Sequence, residues 1–119
     1  MGLINRDALL AKDTLKIEKV MIDKDNYVFV REMTGKERDT FEQSLLKKEG
    51  NDYIEDLTDF RAKLAVCTIC NEKGDLLLNP NDYKTLSKNK KVSFLDKVVE
   101  VAQKLNAINK EALEDKVKN

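Results

Sequence analysis

Residues 93–105 carry an apolar stripe that constrains the fold more than any other feature of the chain. The apolar residues of this segment recur at helical spacing and form one broad side: Phe94, Leu95, Val98, Val99, Val101, Ala102 and Leu105. A stripe of this width predicts a helix that is buried in a core rather than one that lies alone on a surface. Ser93 precedes the stripe and is expected to cap the helix, because its hydroxyl oxygen can accept a hydrogen bond from a free backbone N–H.

Two pairs of extended runs predict antiparallel strands joined as hairpins. LKIEKVMI at 15–22 and YVFVREM at 27–33 are rich in β-branched and aromatic residues. Between them lies DKDN, whose residue types favour a turn. Further along, VCTIC and DLLL flank NEKG, in which Gly74 can supply the positive φ of a tight turn.

Two helices are predicted in the middle of the chain. The first begins at the capping box TGKE at 34–37, carries Phe41 and Leu45 one turn apart, and is expected to stop at Gly50-Asn51. The second lies in YIEDLTDFRAKLAVC and is expected to end near Val66. Its apolar stripe has steps of three, four and three residues: Leu57, Phe60, Leu64 and Cys67.

Three shorter helices complete the expected architecture. They are predicted at 6–12 behind an Asn5 cap, at 80–88 behind Asn79-Pro80, and after Asn109 at the end of the sequence. Strands that occur in hairpins between helices are typical of the α+β class. The sequence therefore predicts a single α+β domain over 1–119, with small antiparallel β-hairpins packed with several short helices.

The composition favours a protein-binding domain in the cytoplasm. The 119 residues contain 22 Lys+Arg and 22 Asp+Glu, whereas a nucleic-acid-binding domain normally has an excess of basic residues. Balanced charge is compatible with protein partners or with self-association. No apolar run approaches the length of a membrane span, and MGLINRDALLAKD has no apolar core of a secretory leader. Two cysteines in such a chain indicate free thiols in a reducing compartment.

The motif Cys67-Thr68-Ile69-Cys70 has three interpretations. A redox pair needs its first thiol at a helix N-terminus, whereas Cys67 is expected at the end of a helix. A structural zinc site needs four ligands, and the chain offers two cysteines and no histidine. Packing of both side chains is therefore favoured, while a metal site or disulfide between subunits and redox chemistry are the alternatives.

No other pattern in the sequence indicates catalysis or a cofactor. The chain has no histidine, no glycine-rich phosphate loop and no nucleophile elbow. The acidic residues mostly neighbour lysines or occupy first helical turns, which is typical of a solvated face. DKDN at 23–26 resembles the start of a calcium loop but lacks its glycine and its distal glutamate. The basic run KNKK at 88–91 is explained by a loop between helices. We expect neither enzymatic activity nor a cofactor.

The chain as a whole resembles a family of phage proteins. The segments that carry the resemblance are Met33-Thr34-Gly35-Lys36-Glu37-Arg38-Asp39, Arg61-Ala62-Lys63-Leu64, Asn71-Glu72-Lys73-Gly74, Leu105-Asn106 and the closing Lys118-Asn119. In their order and spacing, these segments are similar to those of the small tail assembly chaperones of long-tailed bacteriophages and related prophages. The likeness extends over nearly the full length of the sequence.

The resemblance implies a non-catalytic role in the cytoplasm of the bacterial host. Such a chaperone binds the long, aggregation-prone tape measure protein, helps to recruit tail tube subunits and is absent from the finished virion. An array of chaperone copies along the tape measure, and hence a homo-oligomer, is compatible with this role. The resemblance also implies that the two cysteines are incidental. The alternative is a structural tail-tube or head–tail connector component that is retained in the virion.

The predicted partner-binding residues lie near the end of the sequence. The tape measure protein is a long helical protein with exposed apolar stripes, and covering them requires apolar surface on the chaperone. The last predicted helix has a thin apolar side that is suited to this contact: Ala112, Leu113 and Val117. Packing of the same residues onto the core is the alternative interpretation.

Overall fold

Five α-helices and five short strands make up residues 2–108, the part of the chain that the computed structural model describes. The helices are α1 (Arg6–Leu10), α2 (Gly35–Ser44), α3 (Phe60–Val66), α4 (Tyr83–Asn89) and α5 (Val92–Leu105). The strands are β1 (Ile17–Met21), β2 (Tyr27–Arg31), β3 (Leu46–Glu49), β4 (Asp52–Glu55) and β5 (Ile69–Cys70). A 3-10 turn at Pro80–Asp82 leads into α4. Every pairing between strands is antiparallel in this part of the chain, which confirms the predicted α+β class.

The predicted first hairpin is confirmed and forms most of a three-stranded sheet. The strand order is β1-β2-β5, and Val20 lies opposite Val28. In the connecting turn, the Asp23 carboxylate accepts hydrogen bonds from the backbone N–H groups of Asp25 and Asn26, each at 2.9 Å. A further hydrogen bond from the Asn26 side chain is the main cause of a lowered pKa for Asp23. The segment that resembles a calcium loop is thus bound into a local turn.

The core forms where α5 packs against one side of this sheet and α3 packs against α5. Val30, Leu64, Val98 and Ala102 are fully buried there. The broad stripe predicted for 93–105 is confirmed, since four α5 residues are buried and Phe94, Val101 and Leu105 pack against them half-buried. Burial of these side chains is the main source of stability for a domain of this size.

The two helices predicted before and after Gly50-Asn51 exist but are shorter than predicted. The first ends at Ser44 rather than at Gly50, and the second begins at Phe60 rather than near Tyr53. Between them, β3 and β4 form a hairpin with a two-residue loop. Gly50 has a φ of 63°, which glycine adopts at no steric cost in the first position of such a loop. Gly50 therefore turns the chain between two strands and is not a helix stop.

The start of α5 and the second predicted hairpin also differ from expectation. Helix α5 begins at Val92 with Lys91 at the cap, so the predicted Ser93 cap is wrong. The Lys91 carbonyl accepts the first hydrogen bonds, from the N–H groups of Phe94 and Leu95. The second hairpin is reduced to β5 and a single bridge between Cys70 and Leu76. It is short because Thr68 still belongs to the α3 terminus: its hydroxyl donates to the Leu64 carbonyl at 2.8 Å.

The predicted role of Gly74 in the turn is confirmed, and a pair of glycine-to-alanine substitutions can test it. Its φ is 91°, and a Cβ atom there would lie 3.2 Å from Cδ1 of Ile17. We expect Gly74→Ala to lower the free energy of unfolding by more than about 1 kcal/mol, because alanine is strained at positive φ. Gly35→Ala is the control, since a Cβ atom there meets nothing within 4 Å. Urea denaturation should show that Gly35→Ala is neutral or stabilising; equal losses for both would contradict the turn assignment.

Candidate protein-binding surface

The three-stranded sheet has one side packed against α5, and an opposite side that a helix meets at Arg31, which pairs with Glu37 of α2. Directly opposed residues of an antiparallel pair lie on the same side of a sheet. Val20 and Val28 are opposed, as are Val30 and Ile69, and these four residues pack in the core. The alternate residues lie on the opposite side, where Arg31 and Cys70 are buried. The other residues of this side are named the outer face here: Ile17, Lys19, Met21, Tyr27, Phe29 and Leu76.

The outer face presents ordered aromatic and apolar side chains to solvent. Met21 and Tyr27 lie opposite each other and are each 49% exposed. The Phe29 ring meets the Tyr27 ring edge to face, with centroids 5.5 Å apart. The Lys19 ammonium lies 4.1 Å from the centre of the Tyr27 ring, within the range of a cation–π contact. These contacts fix the rings before any partner arrives, which lowers the entropic cost of binding.

A second exposed apolar segment precedes the sheet. Every residue from 2 to 14 is exposed, and four large apolar side chains are among them: Leu3, Ile4, Leu9 and Leu10. Helix α1 lies in this segment, and the Ala8 N–H donates to Oδ1 of Asn5 at 2.9 Å, which confirms the predicted cap. A helix of five residues is too short to be stable alone in water. The outer face, by contrast, lies on paired strands.

An ion pair between the buried Arg31 and the half-buried Glu37 fixes α2 beside the end of β2. Arg31 is 5% exposed, and its guanidinium donates to both carboxylate oxygens of Glu37, at 3.1 and 2.7 Å. Glu37 also completes the predicted capping box, since its Oε1 accepts from the Thr34 N–H at 2.9 Å while its own N–H donates to the Thr34 hydroxyl. Burial opposes ionisation of Glu37, but the hydrogen bonds from Arg31 and Thr34 outweigh it and lower the pKa of this carboxyl.

Both cysteines are free thiols that belong to the packing. Cys67 is half-buried at the end of α3, and Cys70 is buried in β5. Burial is the main cause of a raised pKa at both thiols, and the nearby Glu37 carboxylate adds to the effect at Cys67. A raised pKa disfavours the thiolate, which is the form that acts as a nucleophile or metal ligand. Among the described residues, no three His, Cys, Asp or Glu side chains are grouped so as to hold a metal ion.

Alkylation tests the packing interpretation of the cysteines. We expect Cys67 and Cys70 in the native protein to react with iodoacetamide at neutral pH at least about tenfold more slowly than in the unfolded chain, because Cys67 is half-buried, Cys70 is buried, and burial raises the pKa of both thiols. Cys70, which is 2% exposed, should be the slower of the two. Mass spectrometry of timed samples gives both rates. Rapid labelling of either thiol in the native protein would contradict the packing interpretation.

The predicted partner-binding residues, Ala112, Leu113 and Val117, lie outside the described residues. The basic run at 88–91 is exposed and covers the end of α4 and the start of α5, as expected for a connection between helices.

Sequence reasoning missed the outer face, although the alternation of YVFVR contained a signal for it. Tyr27, Phe29 and Arg31 occur at every second position and must share one side of a strand.

Comparisons of the chain with protein-family models, with curated proteins and with solved structures found no match. Within residues 2–108, none of the helices is both long enough and apolar enough to cross a membrane.

Of the surfaces described above, the outer face combines exposed apolar side chains with fixed geometry. This face can contact a protein through its apolar side chains and through the ammonium group of Lys19.

Proposed function

We propose that the chain is a non-catalytic tail assembly chaperone of a long-tailed phage or prophage. In this role it binds the tape measure protein in the cytoplasm of the bacterial host and helps to recruit tail tube subunits. The proposal rests on the sequence resemblance over nearly the full length of the chain. The structural observation that supports it is the outer face, which offers exposed apolar side chains on a chain in which 37% of the residues are charged.

The outer face suits a helical partner with apolar stripes. Met21, Tyr27 and Phe29 provide flexible and aromatic contact area, and residues of these types are enriched where protein partners meet. Lys19 beside Tyr27 can pair with an acidic residue at the border of a partner stripe. Exposed apolar surface of this kind marks interaction sites on soluble proteins. The residues near the end of the sequence, Leu113 and Val117 with Ala112, remain a second proposed contact.

Co-expression tests the proposed activity. The chain is produced together with the tape measure protein of the same phage or prophage, and the soluble fraction of the tape measure is measured with and without it. We expect the tape measure to be soluble only in the presence of the chain and to co-purify with it. Unchanged solubility without co-purification would contradict the proposal. Mass spectrometry of purified particles distinguishes the chaperone from the virion-component alternative. A virion component must be present in the particles in stoichiometric amount, whereas a chaperone is absent from them.

A further inference from the structure

A cavity of about 300 Å³ opens where the start of α3, the end of α4 and the start of α5 meet. Its lining combines apolar and polar side chains, among them Phe60, Leu95, Asp59, Arg61, Ser87 and Lys90. An apolar wall with a few polar groups is typical of a site for a small ligand, and this volume is at the lower end of the range for such sites. The cavity shares no residue with the outer face, so a ligand bound here leaves the proposed protein-binding surface free.

Asp59 is held at this cavity in an uncommon backbone conformation. Its φ is 60°, in the left-handed region, and its side chain does not cap α3, although aspartate is among the best helix-capping residues. The carboxylate turns to α4 instead, where Oδ1 accepts a hydrogen bond from the Ser87 hydroxyl at 2.6 Å. Within residues 2–108 no group donates to Oδ2. This oxygen and the lone pairs of the Ser87 oxygen can therefore accept hydrogen bonds from a ligand.

Lys90 brings a positive charge to the same cavity from the end of α4. Its ammonium lies 5.2 Å from the centre of the Phe94 ring, within the range of a cation–π contact. Arg61 adds a second cation, whose Nε donates to Asp96 at 2.6 Å, and its guanidinium makes no other hydrogen bond in the described part of the chain. Although Asp59 and Lys90 line one cavity, no ion pair joins them within residues 2–108. A carboxylate and an ammonium are thus both available to a ligand.

We propose that the cavity binds a free α-amino acid with an apolar side chain. The ammonium group of the amino acid donates to Oδ2 of Asp59 and to the Ser87 oxygen, and its carboxylate accepts hydrogen bonds from Lys90. Hydrogen bonds between charged groups are stronger than those between neutral ones. The apolar side chain of the amino acid packs against the wall that contains Phe60 and the buried Leu95, where it is removed from water.

The two opposite charges favour a zwitterion over a ligand with a single charge. An apolar carboxylic acid without an ammonium group brings its negative charge to a cavity that holds the Asp59 carboxylate. An apolar amine without a carboxylate likewise meets the cations of Lys90 and Arg61. In each case a like charge opposes binding, and one charge of the cavity has no counterpart. The binding of an amino acid is a property of the isolated chain, so its failure would leave the proposed chaperone function untouched.

Titration of the isotope-labelled full chain with L-leucine, followed by NMR, tests the site. We expect saturable shifts of the backbone amide signals around the cavity, with a Kd of about 1 mM or below. Two analogues separate the charges of the ligand, since isocaproate lacks the ammonium group of leucine and L-leucinamide lacks its carboxylate. Each analogue should bind at least about tenfold more weakly than leucine, because each leaves one charge of the cavity without its counterpart.

Two variants and a control assign the charges of the cavity. Asp59→Asn keeps an acceptor for the Ser87 hydroxyl and tolerates positive φ but removes the negative charge, and Lys90→Gln removes a positive one. Each should keep a folded NMR spectrum and bind leucine about tenfold more weakly than the natural chain does. Lys88→Gln lies on α4 outside the cavity lining and should bind leucine like the natural chain. The inference is overturned if the natural chain shows no saturable shifts up to about 20 mM leucine, or if either analogue or either cavity variant matches natural binding.

Discussion

Replacing Glu37 with alanine is expected to lower the free energy of unfolding by about 3 kcal/mol or more. The substitution leaves the Arg31 guanidinium, 5% exposed, without the carboxylate that accepts two of its hydrogen bonds. It also removes the Glu37 side chain from the capping box of α2, which adds about 1 kcal/mol. Urea denaturation followed by circular dichroism measures the loss.

Two further variants show whether the buried charge is the cause. Glu42→Ala is the matched control, because Glu42 lies on the same helix but is exposed and forms a long contact of 3.9 Å with Arg38. This substitution should cost less than about 0.5 kcal/mol. Arg31→Met combined with Glu37→Gln should cost less than Glu37→Ala alone, since no unpaired charge remains buried. If Glu37→Ala costs no more than Glu42→Ala, the ion pair does not contribute as described.

The same ion pair makes stability depend on pH in a defined direction. The pKa of Glu37 is lower in the folded protein than its ordinary value of 4.5. Its contribution is therefore fully present above about pH 4.5 and is lost as the pH falls through the lower folded value. We expect the natural chain to lose more stability between pH 7 and pH 3 than Glu37→Gln does. Equal losses, measured by urea denaturation at both pH values, would contradict this.

Replacing Leu64 with alanine should have a comparable effect through packing. Leu64 is fully buried in the core, on α3 where this helix packs against α5, so its truncation loses apolar burial and leaves a cavity that the rigid core fills only in part. Such substitutions cost about 2–5 kcal/mol. Leu9→Ala removes the same atoms from a side chain that is 66% exposed, and it should cost less than about 0.5 kcal/mol. Similar losses for both variants would mean that the core is assigned wrongly.

Local patterns predicted much of this fold. The broad stripe of α5, the hairpin of β1 and β2, the Asn5 cap and the capping box of Thr34 and Glu37 are all confirmed. Each of these features depends on residues close together in the sequence, either through periodic burial or through hydrogen bonds over three positions. Sequence reasoning is strongest for interactions of that kind.

Sequence reasoning missed features that a misleading local pattern concealed and features that depend on contacts between elements. The spacing of Phe41 and Leu45 fits a helix, and it concealed the end of α2 at Ser44 and the hairpin around Gly50. The burial of Arg31 requires Glu37 to meet it from another element, which no local pattern reveals. The alternation in β2 indicates which residues share one side of the strand. The position of α5, which packs against β1 and β2, decides which side of the sheet is covered.

The most direct test of the account measures how much tape measure protein is recovered in soluble complex with an outer-face variant. In Met21→Lys with Tyr27→Glu, two exposed contact residues become charged while the core residues remain unchanged, and the two new charges are opposite in sign where these residues face each other. We expect recovery at least about tenfold below that of the natural chain, at a melting temperature close to that of the natural chain. Leu9→Lys with Leu10→Glu on α1 is the matched control and should recover the natural amount. Full recovery with the outer-face variant would contradict the account.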